Sequence, residues 1–100
     1  MGYGFLEKVY QKAMIHELTL MGVKCEKEPP APAIYKGVKL QDYFGDLLVA
    51  DVVMVELKAH KAYQSEDEAQ LLNELRASNH KVGLRINFGR DGVKFKRMLF

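Results

Sequence analysis

The sequence predicts an α/β fold in which helices pack on a β-sheet. Two segments, residues 4–21 and the segment that follows Ser65, show the three- and four-residue spacing of apolar side chains typical of amphipathic helices. Between and after them lie short runs rich in β-branched and aromatic residues, separated by proline and glycine turn signals. A chain of 100 residues is long enough for one domain and too short for two. The order helix, strands, helix, strands therefore predicts a single α/β domain over residues 1–100.

The first predicted helix covers residues 4–21, and Gly22 ends it as a C-terminal cap. Its apolar stripe consists of Leu6, Val9, Tyr10, Ala13, Met14, Leu20 and Met21. Glu17 falls within this stripe, so we expect it to be buried beside a basic residue of the C-terminal strand. Glu7 lies at the edge of the stripe, where it could either reach a site over the sheet or remain solvated.

The middle of the chain predicts extended structure. Residues 23–28 and 33–36 are predicted strands, and Pro29, Pro30 and Pro32 between them exclude a helix. The runs 38–49 and 53–58 are rich in strand-forming residues and are predicted to pair as a hairpin.

The second half begins with a capping box, in which Ser65 is followed three residues later by Glu68. A core-facing helix follows and is expected to end near Asn79. Residues 82–88 then form a predicted strand, residues 90–92 a hairpin turn, and residues 93–99 a strand that pairs back.

Composition excludes several classes of protein. An apolar share of 48% and a charged share of 28% are those of a folded globular chain. The longest apolar run, residues 47–57, is interrupted by Asp51 and is shorter than the roughly 18 residues that span a bilayer. This short run predicts no membrane partner. The single cysteine, Cys25, excludes an internal disulfide, so we expect a cytoplasmic protein. The sequence also lacks a glycine-rich phosphate loop, a serine nucleophile elbow and histidines at zinc-ligand spacing.

Charge is unevenly distributed along the chain. The net charge is +2, yet residues 79–100 carry six basic residues against the single acidic Asp91, a net charge of +5. A basic end on a slightly acidic chain is typical of proteins that bind an anionic partner such as nucleic acid, although solubility alone could also account for it. Within this segment we expect Lys94, Lys96 and Arg97 to contact phosphates.

Asp46, Glu56 and Lys58 are the strongest candidates for chemistry. Glu56 and Lys58 stand two residues apart at the end of an apolar strand, so they share one face of it. Asp46 precedes Glu56 by ten residues, and an odd connection such as residues 50–52 would place the two carboxylates directly opposite each other. With that register, the carboxylates and the Leu57 carbonyl could bind Mg²⁺ or Mn²⁺ beside a lysine. The alternative is a structural ion pair between Glu56 and Lys58.

The sequence also resembles a known family. Residues 4–10 read G-x-x-E-x-x-Y through Gly4, Glu7 and Tyr10. Further matching stretches are Glu17-Leu18, Tyr35-Lys36-Gly37, Asp46, Val55-Glu56-Leu57-Lys58, Glu68-Ala69-Gln70-Leu71-Leu72, Gly83-Leu84 and Ile86-Asn87-Phe88-Gly89. Together they resemble the small prokaryotic GxxExxY family of the PD-(D/E)XK nuclease superfamily, from residue 4 to about residue 97.

The resemblance implies an αβββαβ core with a mixed sheet flanked by helices, as in restriction endonucleases. It implies that Asp46 and Glu56 hold the metal and that Lys58 orients or activates the attacking water. By the same resemblance, Glu7 enters the site from the first helix and Gln70 flanks it from the second. The chain departs from the superfamily pattern at Gly45, where the superfamily name has proline, and at Glu74, where related members often have tyrosine.

We therefore expect a Mg²⁺- or Mn²⁺-dependent nuclease that hydrolyses phosphodiester bonds in DNA or RNA. The alternative is a non-catalytic module that keeps the fold and binds nucleic acid or protein. A homodimer is a further hypothesis, since a chain this short buries a modest core.

Overall fold

In the computed structural model, two helices pack on opposite faces of a five-stranded sheet. The structure describes residues 3–65 and 67–100, and it describes the side chains of all of these except residues 3–5 and 67. The helices are α1 (Tyr3–Leu20) and α2 (Asp67–Ser78). The strands are β1 (Cys25–Lys27), β2 (Ala33–Tyr35), β3 (Val38–Gln41), β4 (Leu47–Val49), β5 (Val53–Lys58), β6 (Val82–Gly89) and β7 (Gly92–Leu99).

The large sheet has the strand order β1-β4-β5-β6-β7. The β5–β6 pair is parallel because α2 crosses over between them, and the other neighbours are antiparallel. The sheet is therefore mixed, and the predicted α/β fold class with helices on the sheet is confirmed.

The predicted pairing of run 38–49 with run 53–58 is wrong in its first half. Residues Val38–Gln41 turn back on β2 to form a separate two-stranded sheet, and only Leu47–Val49 pairs with β5. Backbone hydrogen bonds of the segment between β3 and β4 explain this split. The Tyr43 carbonyl accepts a hydrogen bond from the amide of Ala31, and the Gly45 amide donates one to the Pro29 carbonyl. These bonds tie the segment after β3 to the proline-rich segment before β2. We call the whole protrusion, residues 28–46, the hairpin.

Each face of the sheet carries its own core. Met14 and Ile15 of α1 pack against Leu47, Val55 and their neighbours, whereas Leu71 and Leu75 of α2 pack against Met54. Because side chains alternate along a strand, Met54, Glu56 and Lys58 face α2, and Val55 and Leu57 face α1. Gly83 on β6 lets α2 approach, since a Cβ there would lie 3.0 Å from both leucine side chains.

Helix α1 lies within one residue of the predicted boundaries, but its buried face is not the predicted apolar stripe. Gly22, at φ +76°, ends it in a Schellman arrangement in which the Val23 amide donates to the Leu18 carbonyl. Glu17 is exposed, so the expectation of a buried glutamate is wrong. The reason is that the buried line of the helix runs through Gln11, Met14 and Ile15, which places Glu17 outside it.

Tyr10, the last residue of the GxxExxY motif, has a packing role. Its ring stacks on Phe88 of β6 with centroids 3.9 Å apart and planes within 5°. This contact joins α1 to the sheet near the carboxyl end of β6. In the described parts of the chain, neither helix is long and apolar enough to cross a membrane.

Candidate active site

Asp46 precedes β4 and Glu56 lies near the end of β5, so the two residues stand at one end of the β4–β5 pair. Leu47 pairs with Val55 and Val49 with Val53, and this register, continued by one residue, places Asp46 opposite Glu56. The connection between the strands is the three-residue segment 50–52, the odd length that the convergence of the two carboxylates requires. Lys58, two residues beyond Glu56, shares its face of β5.

Several hydrogen bonds hold Asp46 in place. Its carbonyl accepts from the Gln11 side chain at 2.9 Å and from the amide of Glu28 at 3.0 Å. Its side-chain Oδ2 accepts from the Leu57 amide at 2.7 Å. Both the backbone and the carboxylate of Asp46 are therefore fixed before any ligand arrives. Gly45 fits because a Cβ there would lie 2.6 Å from the sulfur of Met54.

Gln11 is a site residue that the sequence did not single out. Its side chain is 1% exposed, and it is the buried polar residue that ties α1 to the start of β4. It follows Glu7 by four residues, so both side chains project from one face of α1. The four-residue spacing from Glu7 is the sequence signal that could have identified Gln11.

Glu56 is buried, at 3% exposure, within a cluster of acidic groups. Burial raises the pKa of its carboxyl to about 10, and a hydrogen bond to Glu74 and the negative charges of Asp46 and Glu74 act in the same direction. Lys58 opposes the rise only in part. Without a metal ion, Glu56 is therefore protonated at neutral pH.

This raised pKa makes stability depend on pH. Between about pH 4.5 and pH 10, Glu56 holds a proton in the folded protein and loses it on unfolding, so stability falls as pH rises through this range. Glu56→Gln removes this dependence. Near pH 9, we expect the metal-free variant to melt at least about 4 °C above the wild type, the shift that roughly 1 kcal/mol gives a domain of this size.

Thermal melts in a chelating buffer at about pH 5 and about pH 9 check this expectation. The difference in melting temperature between the variant and the wild type should be present near pH 9 and should shrink toward pH 5. A variant that melts below the wild type at both pH values would contradict the assignment of a neutral, buried Glu56.

Glu74 is the second residue that the sequence did not place in the site. It projects from α2 onto Glu56, is 7% exposed, and accepts a hydrogen bond from the Gln70 side chain at 3.3 Å. Burial raises the pKa of Glu74, and the hydrogen bonds that Glu56 and Gln70 direct at it oppose that rise. Gln70 therefore reaches the site through Glu74. In the sequence, Glu74 was visible only as a departure from the superfamily pattern.

Lys58 and Glu7 meet at the rim of the site, because Lys58 is the last residue of β5 and its side chain reaches past the strand end from the α2 face to α1. The Lys58 ammonium lies 4.0 Å from Glu7 Oε1, and the two side chains are 19% and 25% exposed. Glu7 therefore lies beside Lys58, and its role in the site stays a prediction. Lys58 is thus held at the edge of the site by a partly solvated carboxylate, with Glu56 on the same face of its strand.

Asn87 fixes the loop that follows β5. Its side chain accepts from the amide of His60 at 3.0 Å and donates to the carbonyl of the same residue at 3.1 Å. Asn87 pairs in register with Lys58 on one side and with Lys94 on the other. The three residues therefore form one row across the end of the sheet.

The donors present fit a divalent metal ion. Glu56 Oε1 is buried and has no hydrogen-bond partner within the described residues, and a cation would satisfy it. The N–H and C=O of one strand residue point to the same neighbour, so the Leu57 carbonyl lies on the Asp46 side of β5. In residues 3–65 and 67–100, no three histidine, cysteine, aspartate or glutamate side chains are arranged to hold a metal ion. The candidate set is therefore two carboxylates and one carbonyl.

The three basic residues predicted to bind nucleic acid do not share a face. Met98 packs on the α2 side of the sheet, so Lys94 and Lys96 face α2 and Arg97 faces the opposite way. Lys96 forms an ion pair with Glu68 at 3.0 Å. Lys94 stands at the site end of the sheet, in the row with Lys58.

The protein is an α/β protein with a mixed sheet between two helices, and two carboxylates and a lysine stand near one end of its β4–β5 pair. The chain belongs to the PD-(D/E)XK nuclease superfamily, which its residues 1–98 match. Nucleases of this superfamily generally use divalent metal ions.

Solved structures share this fold. The alkaline exonuclease LHK-Exo from Laribacter hongkongensis superposes with a TM-score of 0.66 at 10% identity, covering 92% of this chain and 55% of that one. A protein named SSO0001 superposes with a TM-score of 0.73 at 13% identity, covering 96% of this chain and 51% of that one. The chain thus spans about half the length of these structures. A comparison with curated proteins finds no matching sequence.

Proposed function

We propose that this protein is a Mg²⁺- or Mn²⁺-dependent nuclease that hydrolyses phosphodiester bonds in DNA or RNA, and that it belongs to the GxxExxY group of its superfamily. The observation that carries the proposal is the opposition of Asp46 and Glu56, with Lys58 on the same face and one buried Glu56 oxygen without a partner in the described residues. The superfamily match and the likeness to an exonuclease fold support it.

Each residue of the site has a distinct task in this proposal. Asp46 and Glu56, with the Leu57 carbonyl, would hold the cation, which would lower the pKa of a water molecule and stabilise negative charge on the phosphate. Lys58 places a positive charge where the attacking water and the phosphate meet. Glu7 orients the Lys58 ammonium from α1, and Gln70 and Glu74 support Glu56 from α2.

A cleavage assay on several nucleic acids tests this proposal. Single- and double-stranded DNA and RNA are incubated with Mg²⁺, with Mn²⁺ and with a chelator, beside the Asp46→Asn variant. Cleavage that requires the metal and Asp46 supports a nuclease. Binding of nucleic acid without cleavage under every condition would instead assign a non-catalytic module that keeps the fold.

Lys94 is proposed to contact a phosphate of the bound strand, because it lies in the row of residues that contains Lys58. Lys94→Ala should reduce the slope of log affinity against log salt by about 0.7–0.9, the value for one lost phosphate contact. Arg97→Ala is the matched control, since Arg97 lies on the opposite face of the same strand. Equal salt slopes for the two variants would show that Lys94 does not contact a phosphate of the bound strand.

A further inference from the structure

A cleft of about 810 Å³ lies between the base of the hairpin and α2. Its volume is within the roughly 300–1,000 Å³ range of pockets that bind small organic ligands. Nothing in the proposed chemistry of Asp46, Glu56 and Lys58 accounts for a cleft of this size.

The cleft adjoins the acidic end of the candidate site. Gln70 and Glu74 line it, and Glu74 is the residue that contacts Glu56. One side chain, Glu74, therefore separates a group in the cleft from the proposed metal ligand Glu56. The part of a substrate that flanks a phosphate bound to a cation at Asp46 and Glu56 would enter this space.

The walls of the cleft combine one exposed aromatic ring with apolar, polar and charged side chains. The Tyr43 side chain is 50% exposed, and its hydroxyl donates a hydrogen bond to Gln41 at 3.3 Å. Ala31 and Ala77 contribute small apolar surface, and Asn73 contributes an exposed amide from α2. A flat ring, apolar side chains and an amide suit a nucleobase, which has two apolar faces and a polar edge.

We infer that this cleft binds an unpaired nucleotide of the substrate strand, next to the cleaved phosphodiester, with its base stacked on Tyr43. The inference rests on the proposed nuclease function and adds a substrate class to it. In a duplex, both faces of a base are covered by its neighbours and its edge is paired, so a base reaches a protein ring only when it is single-stranded or extruded. The preferred substrates are therefore single strands or duplexes with unpaired ends.

Binding of a fluorescent single-stranded oligonucleotide, measured by anisotropy with Ca²⁺ replacing Mg²⁺, tests the inference. Stacking on an aromatic ring contributes about 1–3 kcal/mol per base, so Tyr43→Leu should weaken binding roughly 5- to 150-fold. Tyr43→Trp, which keeps a ring, should restore it. Tyr35→Leu is the matched control, because Tyr35 is a similarly exposed tyrosine of the same hairpin that does not line the cleft, and it should stay within about twofold of the wild type.

Two further measurements keep the test decisive. Asn73→Asp places a negative charge on the cleft wall at an exposed helix position, so it should weaken single-strand binding even if Tyr43→Leu folds poorly. Equal affinities of Tyr43→Leu, Asn73→Asp and Tyr35→Leu would overturn the inference. So would a wild-type protein that binds a blunt duplex as tightly as the single strand. Failure of the nuclease proposal is seen separately, as an absence of cleavage with these binding preferences intact.

Discussion

Asp46→Asn is expected to lower metal-dependent cleavage by a factor on the order of 10²–10³ or more while the protein stays folded. The lost charge removes one of the two carboxylates proposed to hold the cation, and a single group that stabilises developing charge is worth about this much. The fold should persist because the asparagine carbonyl can still accept the Leu57 amide hydrogen bond that Asp46 accepts at 2.7 Å.

Asp51→Asn is the matched control for this variant. Asp51 sits in the connection at the other end of the same strand pair, where its exposed carboxylate bonds Lys24. Its loss should leave cleavage unchanged. Comparable cleavage by Asp46→Asn and Asp51→Asn, with both variants folded, would show that Asp46 does not hold the metal.

Lys58→Ala is the second variant with a large expected effect. Cleavage should fall about 10²-fold or more, because a positive charge beside the attacked phosphate is lost, whereas the affinity for the metal should hardly change. Stability should also hardly change. Glu56 is protonated in the metal-free protein, so removing Lys58 leaves no buried charge unpaired, and its contact with Glu7 is partly solvated.

The alternative of a structural Glu56–Lys58 ion pair predicts the reverse. Breaking a buried pair costs roughly 3 kcal/mol, so the variant would melt early while cleavage per folded molecule persisted. Melting curves and cleavage rates on the same preparation distinguish the two, with Lys24→Ala as a control for loss of an exposed lysine. Early melting with unchanged specific activity would exclude a catalytic Lys58.

Much of the site followed from spacing. Glu56 follows Asp46 by ten positions and Lys58 follows Glu56 by two, so the three share a face when the connection between the strands has an odd length. The structure has such a connection, residues 50–52. The opposite orientation of Arg97 was also present in the sequence, since it stands an odd number of residues from Lys94 and Lys96. The net charge of residues 79–100 takes no account of this alternation between the two faces of the strand.

Other features depend on contacts between elements that are distant in the chain. Glu74 reaches Glu56 only when α2 packs on β5. From the sequence, Glu74 was recognisable only as a departure from the superfamily pattern, and no role in the site could be assigned to it. The hairpin split from β4 because backbone hydrogen bonds join residues 29 and 31 to residues 45 and 43. Local strand propensity in residues 38–49 contains no signal for such pairing.

The central claim is that Asp46 and Glu56 form a divalent-cation site, and calorimetric titration of Mn²⁺ tests it most directly. Titrating wild type and Glu56→Gln in two buffers of different ionisation enthalpy gives both the affinity and the protons released. We expect the wild type to bind and to release a proton at neutral pH, because the cation must displace the proton that Glu56 holds. Binding should be lost in Glu56→Gln. Equal Mn²⁺ affinity in the two proteins, or binding by neither, would contradict the claim.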